Sequence, residues 1–263
     1  MPNHITNILL FDCSENRSRD ILEFVRGDDG ELGSIDFNKL IPMPESLKIT
    51  SGSETYTGIE IYLTAVNPST KDFGYPKLTR GDFWNLYSML NIEKSSGKYN
   101  AKLSDGIIQQ HIKSSSLDYY FKTGEAAANN MKQYGATTWY PWCINNWGSK
   151  WNAYNCLDVN PEEGCMTFMT AWSGVPQIVQ KISENFPDVL IHYSWADENI
   201  GYNTGRIDYR GGKEILMDIP EGGSRHAFEI AGCVQGFDLD ELGIYDDNSQ
   251  NINQKKSREN DER

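Results

Sequence analysis

Between Met166 and Trp195 the spacing of apolar residues changes period twice. Met166, Phe168, Thr170 and Trp172 alternate, which places them on one face of a strand. Val175, Ile178, Val179 and Ile182 then fall at helical spacing. Pro176 sits in the first turn, where its missing N–H removes no helical bond, and Pro187 ends the run. Val189, Ile191, Tyr193 and Trp195 alternate again as a second strand. A one-faced strand and an amphipathic helix each need a partner, so this segment must stack its helix on a sheet. The N-terminus repeats the logic. Residues 4–11 read as a strand rich in Ile and Leu, and Ser14 or Ser18 can cap a helix whose Ile21, Phe24 and Val25 share a face. Gly27 and Asp28-Asp29-Gly30 stop that helix, and residues 34–41 read as a strand closed by Pro42 and Pro44.

Arg206 to Leu216 reads as a hairpin turning at Gly211-Gly212, and 224–235 as a closing helix. Strands that alternate with short helices and end in a hairpin predict an α+β fold. Its sheet is antiparallel with helices on one face, the split β-α-β or ferredoxin-like arrangement. Residues 1–44 and 139–245 are expected to build that sheet domain. Residues 45–138 are expected to be a mainly helical insertion. Within it, 45–80 reads as loop with one short element around 58–66. Phe83, Leu86, Tyr87 and Leu90 mark one helical face, and Ile107, Ile108, His111 and Ile112 another. Ala126, Ala127 and Ala128 favour a further helix ending near Gly135. Residues 246–263 hold too little apolar surface to offset their ordering entropy and are predicted to be a disordered tail.

With 38% hydrophobic residues, the 263-residue chain can bury a sizeable core. Its 37 acids against 24 bases give a net charge of −13, which repels phosphate backbones and disfavours nonspecific nucleic-acid binding. The five cysteines, Cys13, Cys143, Cys156, Cys165 and Cys233, show no C-x-x-C pair, so neither a zinc site nor a disulfide framework is expected. No cofactor is expected either, since there is no P-loop and no G-x-G-x-x-G. No apolar run approaches membrane-spanning length, and the first residues lack a signal-peptide pattern; the expected location is the cytoplasm.

The densest aromatic stretch runs over 139–157. Within it, Asn146, Trp147, Lys150, Trp151 and Tyr154 bring an amide, an ammonium and two indoles together. Read as a strand, Trp147, Ser149 and Trp151 would share a face. The indoles then either fill core, with Lys150 snorkelling, or form a platform in which an indole stacks on a ligand and Lys150 supplies charge. Asp197, Glu198 and Tyr202 lie in the loop after the strand that ends near Trp195. Adjacent acids there could hold a cation, but no EF-hand spacing accompanies them, and pairing or loop-capping is the expected role. His192 would share its strand face with Leu190, Ser194 and Ala196, as hydrogen-bonded structure. Ser173 lies in Trp-Ser-Gly, which is no nucleophile elbow, and reads as a helix cap. Arg225-His226 could transfer protons but shows no partner in the sequence.

Five separated motifs occur in order: Pro2-Asn3-His4-Ile5-Thr6-Asn7, Phe37-Asn38-Lys39-Leu40-Ile41-Pro42-Met43-Pro44, Asn146-Trp147-Gly148-Ser149-Lys150-Trp151-Asn152-Ala153-Tyr154, Thr170-Ala171-Trp172-Ser173, and Ala196-Asp197-Glu198-Asn199-Ile200-Gly201-Tyr202-Asn203-Thr204-Gly205. Together they resemble the Api92-like, or YubB-like, family of phage and plasmid proteins, over roughly 1–44 and 139–216. Ser149 stands where such proteins usually carry Thr in Trp-Gly-Thr-Lys-Trp, and keeps the hydroxyl. The resemblance implies a ferredoxin-like C-terminal part and a mobile-element origin, and it supplies no catalytic residue. The expected function is therefore a non-enzymatic accessory role, binding a host or phage protein or a small ligand. The expected surface comprises Asn146, Trp147, Lys150, Trp151, Tyr154, Trp172, Trp195, Asp197, Glu198 and Tyr202. An enzyme joining Lys150, Asp197, Glu198 and His192, and a structural or oligomeric module, are the alternatives.

Overall fold

The computed structural model describes residues 3–28, 30–65 and 117–243, with Gly81, Asn85 and Ser88 singly. The helical faces expected at Phe83–Leu90 and Ile107–Ile112, and the tail 246–263, lie outside the described residues. The chain divides into two compact units, one of 1–41 with 147–263 and one of 42–146.

The first unit holds a six-stranded sheet among the described residues. Its strands are β1 (His4–Asp12), β2 (Tyr154–Asn160), β3 (Cys165–Ala171), β4 (Leu190–Asp197), β5 (Gly205–Arg210) and β6 (Lys213–Asp218). They lie in the order β2-β3-β1-β4-β5-β6, and every neighbouring pair is antiparallel. β3 and β4 thus run parallel with β1 between them, joined through α6 (Pro176–Asn185). This is a split β-α-β unit, and β2-β3-β1-β4 is the ferredoxin-like sheet. The crossover from β1 to β2 carries α1 (Glu15–Val25), α2 (Phe37–Leu40) and the whole 42–146 segment. Gly211 and Gly212, both at positive φ (57° and 75°), make the tight turn that adds β6 to β5.

The register explains the core. Ile5, Asn7, Leu9 and Phe11 pair with Asp197, Trp195, Tyr193 and Ile191, and all point to one buried face. On that face Tyr193 donates its hydroxyl to Asn7 Oδ1 at 2.8 Å and accepts from Val175 N at 2.6 Å. Asn7 Nδ2 donates to Thr170 Oγ1 at 2.9 Å. This buried network ties β1, β3 and β4 to the start of α6. Burial drives the Tyr193 phenol pKa far upward, so it stays a neutral donor. α1 meets the turn that follows α6, where Phe24 packs edge-on against Phe186 at 5.3 Å and Arg17 bonds Asp188.

Several expectations need correction. Helices do not keep to one face, because α7 (Arg225–Gln235) packs Ile230, Ala231 and Val234 on Ala196 and Ile8, the opposite side from Tyr193. Residues 34–41 form no strand. Asp36 Oδ1 accepts from Asn38 N at 2.9 Å and so caps the short helix α2. The edge strand β2 was not expected, since Asn155, Asp158 and Asn160 leave it without an apolar alternation and a register shift breaks it.

In the 42–146 unit, α3 (Ser53–Ala65) packs on α4 (Leu117–Tyr134) around Ile59, Tyr62, Leu63, Ala127 and Ala128. The helices meet at Gly58 and Gly124; a Cβ on Gly58 would lie 2.6 Å from Tyr120 O, so only glycine permits this approach. α3 is longer than the short element expected near 58–66. Its apolar side chains are too evenly spread to show a period, and burial against α4 fixes the helix instead. α5 (Trp139–Trp147) follows.

Candidate functional site

The segment read as a strand from Trp147 to Trp151 is not one. α5 ends at Trp147, and Gly148, at φ 80°, turns the chain into a loop. The two indoles therefore part company. Trp147 is 5% exposed, donates its Nε1–H to Ile41 O at 2.9 Å and meets Phe37 edge-on at 5.9 Å. It is core. Trp151 is 37% exposed. Asn152 fixes the loop by accepting from Phe37 N at 2.9 Å and donating to Asp36 Oδ1 at 2.7 Å.

A second set of bonds stitches this loop to the turn after β3. Ser173 Oγ–H donates to Gly148 O at 2.8 Å, and Ala171 N donates to Ser149 Oγ at 3.2 Å. Ser173 is thus not the helix cap expected of it; Val175 occupies that position, with Pro176 next. The alternation that put Trp172 on the Met166 face also stops one residue early. Trp172 has φ 76°, a left-handed conformation rare for a bulky residue, and its indole is 38% exposed rather than buried. Its N–H donates to Asn3 O at 3.0 Å, and its carbonyl accepts from Asn203 Nδ2 at 2.9 Å.

The two stitched loops bring Trp151 and Trp172 to one ammonium. Lys150 Nζ lies 4.6 Å from the Trp151 ring centroid and 5.1 Å from that of Trp172, both within cation–π range. Tyr202, 48% exposed, belongs to the neighbouring loop with exposed Glu198. Beside them, a depression of about 170 Å³ is lined by Gly148, Ser173, Gln177, Trp195 and Asn203.

Asp197 holds this end together from inside. It is 4% exposed, and Asn3 Nδ2, Asn199 N and Asn203 Nδ2 donate to its carboxylate at 3.1, 2.9 and 2.9 Å. Its carbonyl accepts from Gln235 Nε2 at 2.8 Å. It is a positioning residue, not a surface one. Tyr154 is half-buried; its hydroxyl donates to Thr170 O at 3.1 Å and lies 2.7 Å from His4 Nδ1. Burial, then the charge of Glu198, raises its pKa. Trp195 is core, stacked on Tyr193 at 5.1 Å. Asn146 belongs to the 42–146 unit and donates back to Trp142 O at 2.9 Å.

Of the ten expected residues, the structure gathers Lys150, Trp151, Trp172, Glu198 and Tyr202 at one loop-bearing end of the sheet, and turns Trp147, Trp195 and Asp197 into their support. His192 pairs with Asp208 at 2.9 Å on the sheet face opposite Asp197, so the two do not share a site. His226, read as lacking a partner, has two: Asp218 at 2.9 Å and Glu229 at 3.4 Å. Sequence reading missed Asn3 and Asn203. The only signal for them was the presence of Asn in the first and last of the five motifs. The five cysteines are free thiols. Burial pushes the Cys143 thiol up to about 12, too high for a reactive thiolate.

Fold and site define an antiparallel α+β domain of ferredoxin-like type whose loop end presents two indoles around a lysine. Residues 147–238, from the end of α5 through α7, match the family model described as the ferredoxin-like domain in Api92-like protein. The chain is similar to Api92-like proteins through this domain, as its motifs imply. The crystal structure of a protein api92 from Yersinia pseudotuberculosis is also similar, at 10% identity and a TM-score of 0.39, over 85% of this chain and 100% of that one. A likeness of that size carries no argument about the site. No curated protein matches. Among the described residues no helix is long and apolar enough to cross a membrane.

Proposed function

We propose that the protein is a non-enzymatic accessory protein of a phage or other mobile element, and that it works by binding a protein or small ligand in the host cytoplasm through the Lys150, Trp151, Trp172, Glu198 and Tyr202 surface. The observation that carries this reading is the pair of half-exposed indoles around Lys150, one of them on a strained backbone. Strain of this kind costs about 1–3 kcal/mol and persists only where surrounding structure imposes it. Here the bonds from Asn203 and to Asn3 impose it, and what results is a rigid aromatic surface. Aromatic residues on loops beside a rigid sheet are typical binding anchors. The mobile-element origin rests on the family resemblance. Net charge of −13 suits a basic partner, and counter-defence by covering a basic host surface is the role that fits both.

Affinity capture from host lysate, with wild type, Trp151→Ala, Trp172→Ala and Glu198→Lys compared at matched folding, tests the reading. Loss of one captured protein in both Trp variants, with thermal melting nearly unchanged, is the expected result. Equal capture by all variants removes this surface. The enzymatic alternative is weaker, because His192 and Asp197 lie on opposite faces and Asp197 is committed to the loop.

A further inference from the structure

Among the described residues the sheet ends in β2 on one side and in β6 on the other, and the two edges are built differently. An edge strand offers unpaired N–H and C=O groups to another strand, and proteins blunt such edges with polar side chains and bulges. β2 is blunted in this way. Asn155, at φ 46°, and Asp158 are exposed, and the register with β3 breaks between Tyr154 and Asp158. β6 also has a register shift, at Ile215, but its exposed side chains are largely apolar. Ile215, Leu216, Met217 and Ile219 are 61%, 44%, 54% and 57% exposed. A contiguous apolar run of this kind at the surface marks an interaction site.

Placement decides what can cover it. Met217 pairs with Ile207 and Glu214 with Tyr209, so both point to the sheet face that buries Tyr193. Leu216 pairs with Asp208, Lys213 with Arg210 and Asp218 with Arg206, so these three point to the other face. Ile215 is the extra residue of the bulge. A helix or loop laid on one face would cover Met217 or Leu216, not both. A strand added beyond β6 continues both faces and takes up the unpaired backbone groups as well. The occupant that fits is a strand.

The order of charges on β6 points to a particular strand. On the Leu216 face, Lys213 stands at the start and Asp218 at the end. Lys213 has no ion pair among the described residues. Reversed onto itself about Leu216, the sequence is self-complementary. Leu216 meets Leu216 of the second copy, and Lys213 meets Asp218 on the same face. On the opposite face Met217 meets the methylenes of Glu214. Turned about Met217 instead, the strand would set Leu216 against Asp218 and leave Lys213 at Pro220, which has no N–H to extend a ladder.

We infer that two copies of this chain associate through β6, paired antiparallel about Leu216, so that one sheet continues into the other. The interface shares no residue with the Lys150 surface proposed above, and either can fail alone.

Sedimentation velocity of the full chain tests this, in about 0.15 M salt to screen the repulsion between two chains of charge −13. A concentration-dependent dimer, populated by about 100 μM, is expected of so short an edge. Leu216→Lys sets two ammonium groups against each other on the two-fold axis. It should abolish the dimer, while the melting temperature at about 1 μM, where the wild type is monomeric, stays unchanged. Lys213→Glu places an acid opposite Asp218 twice in each dimer and should weaken association about tenfold; Lys213→Arg should preserve it. A monomer at every concentration up to about 1 mM, or a dimer that survives Leu216→Lys or is indifferent to Lys213→Glu, overturns the proposal.

Discussion

Trp147 and Trp151 belong to one short motif, yet the first is 5% exposed and the second 37%. Hydrophobicity does not distinguish two tryptophans; the end of α5 does. Trp147 is the last helical residue and is held by Ile41 O and Phe37, whereas Gly148 reverses the chain and delivers Trp151 to the surface beside Lys150. Trp195 and Trp172 repeat the contrast across β4 and β3: one stacks on Tyr193 in the core, the other is flipped outward at φ 76°. The motif therefore contains its own scaffold, and the core indoles position the exposed ones.

The largest test of that division is truncation. Trp147→Ala should destabilise by about 3–5 kcal/mol, as for other buried large aromatics. Trp151→Ala, at a half-exposed site, should cost less than about 1 kcal/mol. Denaturant titration of both variants checks this, and equal costs would erase the distinction between scaffold and surface.

Next in size is the polar core that anchors the same scaffold. Asn7→Ala leaves the Tyr193 O–H without an acceptor in a fully buried site, while Thr170 Oγ1 keeps its bond to Ser173 O; the one unsatisfied donor should cost about 1–3 kcal/mol. Asp197→Asn sharpens the comparison from the other side. It turns one acceptor facing the Asn199 and Asn203 donors into a donor, and should cost about 1–2 kcal/mol of stability. The loop that carries Trp172 should loosen more than the sheet does. Hydrogen exchange reads both: slowed protection loss in β1 and β4 beside fast exchange at 199–203 is the expected pattern, and uniform loosening goes against it.

The sheet was legible in the sequence because its strands and α6 carry clean periods, two for Met166–Thr170 and Val189–Trp195, near four for Val175–Ile182. Where the period failed, so did the reading. β2 is a polar edge strand. α2 is set by Asp36 and Asn152, which lie far apart in sequence, and α3 by its glycine contact with α4. At the site, the motifs named the right neighbourhood. They could not separate Trp147 from Trp151, because that depends on one residue at positive φ. They also concealed that Asp197 is buried, because its donors come from Asn3 and Asn203.

The smallest expected effect concerns how α7 is held against the hairpin. His226 Nε2 lies 2.9 Å from the Asp218 carboxylate, and Arg206 Nε donates to the same carboxylate at 2.8 Å. The hydrogen bond to Asp218, then that to Glu229, raises the His226 pKa above its ordinary 6.5. A raised histidine contributes its stability in full below the unfolded pKa and loses it as pH rises through the folded value. Asp218 behaves in the opposite sense. The hydrogen bond from His226 lowers its pKa below 3.8, so its contribution is present above that value and fades as pH falls through the folded one. Both groups are charged between these limits, and the link is strongest there. Because the side chains are exposed, salt screens the interaction, and the effect on global stability should be slight. Denaturant midpoints measured from pH 5 to about 8.5 at low salt should therefore drift down through the upper half of that range. His226→Gln should flatten that part of the profile while leaving Trp147-dependent stability untouched. An unchanged slope in the variant would place the titration elsewhere and leave α7 held by Ile230, Ala231 and Val234 on Ala196 and Ile8 and by the bond from Gln235 Nε2 to Asp197 O.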